Sequence, residues 1–200
     1  MEQIEKYLAQ LIKDPENDHI YFELAFAYEK EKQYAAAISY YLRCAEYTSN
    51  NTFASECLIR CSLSINKQGG RDQKELHYIK QAIGASPCSL EPYYIASLYF
   101  SWRGKCRDSY LYACLGININ ENNLQKQPFS KEINFSIHDL YYQKAVWGTK
   151  IGKINEARKI YIEILQNLGI KLSQLKEKIE LFGQKNNIQQ IVKKKTNTPN

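Results

Sequence analysis

Two cysteines, Cys57 and Cys61, lie four residues apart, the spacing at which two side chains share one face of a helix. Thiolates at this spacing can bind a soft metal ion, but a structural zinc site needs four Cys or His ligands. The sequence has no second Cys or His pair nearby at metal-ligand spacing. We therefore interpret both cysteines as small side chains of a helical core, and we predict no metal and no cofactor.

The other residues that could support catalysis are the histidines and a glycine-rich turn. His19, His77 and His138 lie far apart and form no His-x3-His or His-Glu-x2-His pair. Gly69-Gly70-Arg71 is shorter than a phosphate-binding loop and lacks its lysine, so it indicates a turn between helices. These residues offer no catalytic set, and we predict that the protein is not an enzyme.

The net charge of +6 raises the possibility of a nucleic-acid partner. Four lysines lie after Gly183, in a segment without acidic residues: Lys185, Lys193, Lys194 and Lys195. Removing these four charges leaves +2 on residues 1–182, where both signs are mixed along the predicted helices. This distribution disfavours nucleic-acid binding.

No segment approaches the roughly 20 apolar residues of a membrane-spanning helix. The first ten residues, MEQIEKYLAQ, contain acids and lack the order of basic and apolar residues found in a signal peptide. We therefore expect no membrane partner and a cytoplasmic location.

The stretch YFELAFAYEKEKQYAAAISYYLRCAEY (residues 21–47) combines large and small residues at helical spacing. The residues that share the packing faces of its two predicted helices are Tyr21, Leu24, Ala25, Tyr28, Ala37, Tyr41 and Cys44. Antiparallel helices approach to roughly 8 to 10 Å only where the facing residues are small. We therefore predict that Ala25 and Ala37 lie at the helix crossing.

The same pattern recurs three more times, and each of these copies is less complete than the first. The predicted repeats cover about 18–51, 52–87, 88–120 and 138–167. In the third repeat, either Asp108 or Ser109 is the small residue of the second helix. The packing residues of the later copies are Cys57, Leu58, Cys61, Ile79 and Ala82, then Ile95, Ala96, Tyr99 and Tyr112, then Tyr141, Ala145, Ala157 and Tyr161.

These residues resemble the W-x2-L-G-x2-Y…A-x3-F pattern of the tetratricopeptide repeat (TPR), whose period is about 34 residues. The resemblance implies an all-α protein, a TPR-like α-solenoid of about four helix pairs with capping helices at both ends. Such an array contains no catalytic machinery of its own.

The predicted organisation follows from these boundaries. Residues 1–15 form an N-terminal capping helix, and the repeats occupy residues 16–167 with a long loop at 118–136. Residues 168–182 form a C-terminal capping helix. Residues 183–200 are basic and poor in apolar residues, so we expect a disordered tail.

In TPR-like arrays the first helix of each repeat lines a concave face, so the resemblance implies a partner-binding groove there. The residues that it assigns to this face are Phe22, Phe26, Glu29, Lys30, Ile59, Arg60, Tyr93, Ser97, Phe100 and Tyr142. Two interpretations remain open at this point. These side chains are buried between tightly packed repeats, or they form an aromatic-floored groove for an extended peptide or short helix.

The resemblance therefore implies a non-catalytic scaffold that holds a peptide or partner protein. Because capping helices are expected at both ends, a monomer is favoured over a dimer. A second resemblance supplies an alternative. The succession of FELAFAYEKEKQYAAAISYYLRCAE, KQGGR, EPYYIASLYF and YYQKAVWGTKIGKINEARKIY is similar to helical-repeat segments that accompany glycosyltransferase modules in large phage and marine microbial proteins. It implies an accessory module that contacts a glycosyltransferase or a glycan.

Overall fold

The computed structural model describes residues 2–69, 72–119 and 137–167. Within these residues the protein forms nine helices and no strand, which confirms the predicted all-α class. The helices are α1 (Glu2–Lys13), α2 (Asp18–Lys30), α3 (Tyr34–Tyr47), α4 (Asn51–Gln68), α5 (Asp72–Ala85), α6 (Glu91–Trp102), α7 (Cys106–Ile117), α8 (Ile137–Lys150) and α9 (Ile154–Asn167).

Helices α2 to α9 form four successive pairs, and α1 packs on the first of them. Asn17 caps α2 by accepting a hydrogen bond from the Ile20 amide at 3.1 Å, and Asn50 caps α4 in the same way. Ile4 of α1 is buried against Leu24 and Ala27 of α2. The outer face of α2 is therefore covered by α1.

The first helix of every pair is followed by a residue in the left-handed backbone region. Glycine occupies this position after α4, α6 and α8, as Gly69, Gly104 and Gly152, with φ between 68° and 90°. Lys32 occupies it after α2, with φ of 59°. A left-handed residue ends a helix and reverses the chain, so each pair turns back at the same point of its repeat.

The crossing of α2 and α3 uses the two predicted alanines. Ala25 and Ala37 are completely buried and lie in one core cluster with Tyr41 and Cys44, which are also completely buried. The prediction that small residues lie at this contact, with an aromatic residue beside them, is confirmed.

The crossing of α6 and α7 is made by serines. Ser97 Oγ donates a hydrogen bond to the Ser109 carbonyl oxygen at 3.0 Å, and Ser109 Oγ donates to the Ser97 carbonyl oxygen at 2.9 Å. Both side chains are completely buried, whereas Asp108 is exposed. Ser109 is therefore the small residue of this helix pair.

Three cysteines fill the core between α3 and α4. Cys44, Cys57 and Cys61 are free thiols with no exposed surface. The Cys57 thiol donates to Cys44 Sγ at 3.2 Å, and this hydrogen bond together with burial raises the pKa of Cys57 far above its usual range. In the part of the chain that the structure covers, no three His, Cys, Asp or Glu side chains are grouped to hold a metal ion.

The predictions for the loop (mainly residues 120–136), the C-terminal capping helix (168–182) and the tail (183–200) lie outside the described residues. None of the helices within the described ranges is both long and apolar enough to cross a bilayer.

Candidate functional site

The structure brings together four of the residues assigned to the concave face: Phe26, Glu29 and Lys30 of α2 with Arg60 of α4. Lys30 Nζ lies 4.2 Å from the centroid of the Phe26 ring, and Arg60 Cζ lies 5.3 Å from it. Lys30 is exposed, Phe26 is half-buried, and Arg60 and Glu29 are buried. An accessible aromatic and cationic surface therefore lies directly above a buried ion pair.

Glu29 joins the first two helix pairs through its carboxylate. Oε2 accepts a hydrogen bond from Tyr41 Oη of α3 at 2.8 Å, and Arg60 Nη1 of α4 lies 3.6 Å away. Oε1 accepts from Lys67 Nζ, also of α4, at 2.7 Å. Burial and the adjacent Glu29 charge raise the pKa of Tyr41, so its hydroxyl stays protonated and remains a donor.

Glu75 has the same role at the next junction. This carboxylate of α5 is buried and accepts hydrogen bonds from Asn66 Nδ2 of α4 at 3.1 Å and from Arg103 Nη2, just after α6, at 2.8 Å. The guanidinium of Arg103 also stacks over the Tyr99 ring, 3.7 Å from its centroid. Glu75 thereby links the second and third helix pairs.

Glu156 of α9 connects the third and fourth pairs. It accepts from Lys144 Nζ at 2.8 Å and from Tyr110 Oη of α7 at 2.9 Å. These two hydrogen bonds lower the pKa of Glu156. Each junction between successive pairs thus contains one carboxylate that receives hydrogen bonds from neighbouring elements, and this gives the array a fixed shape.

Glu91, the first residue of α6, is a buried carboxylate in a different environment. It is only 4% exposed, and its Oε1 has no hydrogen-bond partner within the described ranges. Burial, followed by the nearby charge of Glu56, raises the pKa of Glu91 to about 7, while Arg60 acts in the opposite direction. Glu91 is therefore close to half-protonated at neutral pH.

Three residues assigned to the concave face lie in the interior instead. Ile59 is fully buried in a cluster with Ile79 and Ile95, because α4 is covered by helices on several sides. Ser97 is occupied by its hydrogen bonds across the helix crossing, and Phe100 stacks on a neighbouring tyrosine ring at a centroid distance of 5.3 Å. Packing within the core therefore accounts for all three.

The remaining three keep some accessible surface. Phe22 is half-buried against the rings of Tyr41 and Phe53, with centroid distances of 5.5 and 5.1 Å. Tyr93 is half-buried and donates its hydroxyl hydrogen bond to the backbone of the preceding turn. Tyr142 is 52% exposed and lies in a separate part of the array, on α8. The assignment of the concave face from the sequence therefore included both surface and core residues.

Two residues near the Glu29 and Arg60 pair were not identified from the sequence. They are Lys67, which donates to Glu29, and Glu91, which is influenced by the Arg60 charge. Lys67 is in the last turn of α4, and its partner Glu29 lies 38 residues away. The available signal for Glu91 was an acid at the start of an otherwise apolar helix, EPYYIASLYFSW, which is equally typical of an ordinary first helical turn.

The sequence matches no protein-family model and no curated protein. Several solved structures have a similar fold. The crystal structure of MamA has a TM-score of 0.60 and 16% identity over 82% of this chain and 85% of MamA. YrrB, described as a TPR protein with an unusual peptide-binding site, has a TM-score of 0.54 and 11% identity over 82% of this chain and 75% of YrrB.

A third similar structure is TTC0263, a thermophilic TPR protein of Thermus thermophilus. Its TM-score is 0.53 at 13% identity, over 90% of this chain and 89% of TTC0263. At these identities the likeness concerns the fold alone. The protein is a TPR-like α-solenoid, as its repeat pattern predicts.

Proposed function

We propose that this chain is a protein-binding scaffold and that an extended peptide of its partner lies on the concave face, across α2, α4 and α6. The fold supports this proposal, because TPR-like arrays expose a long surface built from successive first helices. The single observation that carries it is the accessible Phe26 and Lys30 pair above the buried Glu29 and Arg60 pair.

The geometry suits a peptide with an apolar side chain. The faces of Phe22 and Phe26 supply apolar area, and Lys30 supplies a donor for a peptide carbonyl or carboxylate. Glu29 is held by Tyr41 and Lys67, so the floor does not need to reorganise when a peptide binds. A preorganised site loses less conformational entropy on binding.

An array of immobilised random peptides, probed with the labelled full chain, tests the proposal. We expect a saturable set of bound peptides whose signal is lost when Phe26→Ala is combined with Tyr93→Ala. Tyr47→Ala is the control, because Tyr47 is a 42% exposed aromatic at the end of α3 and stacks on Tyr21, which is not among the residues assigned to the concave face. Unchanged binding by the double variant would exclude the concave face as the site.

A further inference from the structure

The turns that connect the two helices of each pair lie along one edge of the solenoid. Lys67, at the end of α4, reaches Glu29, at the end of α2. Arg103, just after α6, and Asn66, near the end of α4, both reach Glu75 in α5. The first three of these turns are therefore neighbours in space.

The fourth turn lies beside the third. Residues 104–108, from the turn between α6 and α7, line one open cleft together with Lys150 and Ile151, from the turn between α8 and α9. The cleft has a volume of about 630 Å³. We call the row formed by residues 30–33, 67–69, 103–108 and 150–153 the turn edge.

The turn edge carries a set of exposed cations. Those without a carboxylate partner among the described residues are Lys30, Lys32, Lys105, Arg107 and Lys150. Three of them lie over aromatic rings: Lys30 over Phe26, Lys105 over Phe100 at 5.9 Å, and Lys150 over Trp147 at 5.6 Å. The rings position these ammonium groups and leave their charge available.

Acidic residues do not cancel this charge. Glu29 and Glu75 are buried and engaged by Lys67 and Arg103, so they contribute little to the exterior. The exposed carboxylates of the turn edge are Glu31 and Asp108. Five exposed cations against two exposed carboxylates make the edge positive.

The opposite edge has the reverse character. Its first turn, between α1 and α2, exposes Asp14 and Glu16 and contains no basic residue. The turns at 48–50 and 86–90 contain no charged residue. Exposed cations therefore outnumber exposed carboxylates at the turn edge but not at these described turns of the opposite edge, although both signs are mixed along the sequence.

We propose that the turn edge is a docking surface for an acidic peptide segment of a partner protein, whose carboxylates accept hydrogen bonds from Lys30, Lys105 and Lys150. Charge complementarity selects this occupant. A nucleic-acid strand fits less well, because its phosphates follow one another without interruption and would meet Glu31 and Asp108. A peptide can place uncharged residues at those two positions.

This surface adds to the scaffold proposed above and shares Lys30 with it, but its test uses Lys105 and Lys150, to which the proposed concave-face site assigns no contact. The direct probe is a fluorescein-labelled peptide of alternating glutamate and glycine, with binding to the full chain measured by fluorescence polarisation at low salt. We expect saturable binding that weakens as salt is added.

Charge reversal locates the surface. Lys105→Glu combined with Lys150→Glu should weaken peptide binding by about tenfold or more. The control, Lys13→Glu combined with Lys80→Glu, makes the same change of net charge at exposed positions off the turn edge, and it should retain binding. Circular dichroism of both variants checks that the helices are intact.

Three outcomes would overturn the proposal. An equal loss in both double variants would mean that net charge alone attracts the peptide. Loss on replacing Lys193, Lys194 and Lys195 by Gln, with the turn-edge variant unaffected, would assign binding to the C-terminal segment. Tighter binding of a single-stranded oligothymidine of equal charge would identify a nucleic acid as the occupant.

Discussion

Glu29 and Glu91 are both buried carboxylates beside Arg60, yet their hydrogen-bond donors and neighbouring charges differ. Glu29 receives hydrogen bonds from Tyr41 and Lys67 and lies 3.6 Å from Arg60. Glu91 lies near the like charge of Glu56, and its pKa is raised to about 7. Glu29 therefore has donors on both carboxylate oxygens, whereas burial, followed by the Glu56 charge, favours the neutral acid at Glu91.

The difference teaches that two equally buried acids of this array can have very different hydrogen-bonding environments. Glu29 and Glu91 are 7% and 4% exposed, so burial alone does not separate them. A buried charge costs several kcal/mol unless donors compensate for the lost water. The junction at Glu29 therefore depends on its hydrogen-bond donors, and the contribution of Glu91 to stability depends on pH.

The largest expected effect comes from removing the carboxylate that has donors. Glu29→Ala takes away one carboxylate partner of the buried Arg60 guanidinium and the acceptor of the Tyr41 hydroxyl, and should lower the free energy of unfolding by about 3 to 5 kcal/mol. Urea unfolding followed by circular dichroism measures this change. Glu23→Ala, at an exposed position of the same helix, is the control and should change stability by less than about 0.5 kcal/mol. Similar values for the two variants would contradict the role assigned to Glu29.

Removing the charge of Glu91 should raise the free energy of unfolding rather than lower it. The pKa of Glu91 in the folded state, about 7, lies above the ordinary 4.5. The folded protein therefore holds this proton more tightly, and the contribution of Glu91 to stability falls as pH rises from 4.5 to 7. A shift of this size corresponds to about 3 kcal/mol.

Glu91→Gln should remove that pH dependence. The variant should resemble the original protein near pH 4.5 and become more stable than it, by up to about 3 kcal/mol, above pH 7. Urea unfolding across this pH range measures the difference, with Glu16→Gln as an exposed control. A constant difference at every pH would show that Glu91 does not titrate in this window.

A third variant tests whether the close contact between α2 and α3 positions the Tyr41 hydroxyl that donates to Glu29. Ala37→Leu should push α3 away from α2, moving Tyr41 from Glu29, and overpacking should cost about 1 to 3 kcal/mol. Ala35→Leu makes the same substitution at an exposed position of α3 and should be nearly neutral. If the two variants had equal stability, Ala37 would not be the close contact on which the Tyr41 hydrogen bond depends.

The sequence predicted the helices and the alanine crossing because both follow from local spacing. Ala25 and Ala37 stand out among aromatic residues at a fixed interval, so the close approach of two helices can be read directly. The crossing of α6 and α7 at Ser97 and Ser109 was predicted only in part from the sequence. Ser97 was assigned to the concave face with burial between repeats left open, and the structure shows its hydroxyl bonded to the Ser109 carbonyl.

The exposed face of α4 and the partners of the buried carboxylates could not be predicted in this way. Helix α4 has 18 residues and is buried on several sides, which removes the amphipathic contrast that identifies a surface face. The partners of Glu29 and Glu75 lie far away in sequence, 38 residues for Lys67 and 28 for Arg103. A single sequence gives the charges but not which of them meet.

The smallest expected effect tests which donor of Glu29 matters. Lys67 is 48% exposed, so water already solvates its ammonium and the ion pair should contribute only about 1 kcal/mol or less. Lys67→Gln should therefore cost far less than Glu29→Ala, and its cost should shrink when salt is added. Lys30→Gln, which removes an exposed lysine without a carboxylate partner in the described chain, is the control in the same urea titrations. If Lys67→Gln instead destabilised the protein as much as Glu29→Ala, the exposed lysine would account for the whole contribution of Glu29, and the buried partners Tyr41 and Arg60 would not explain why Glu29 and Glu91 differ.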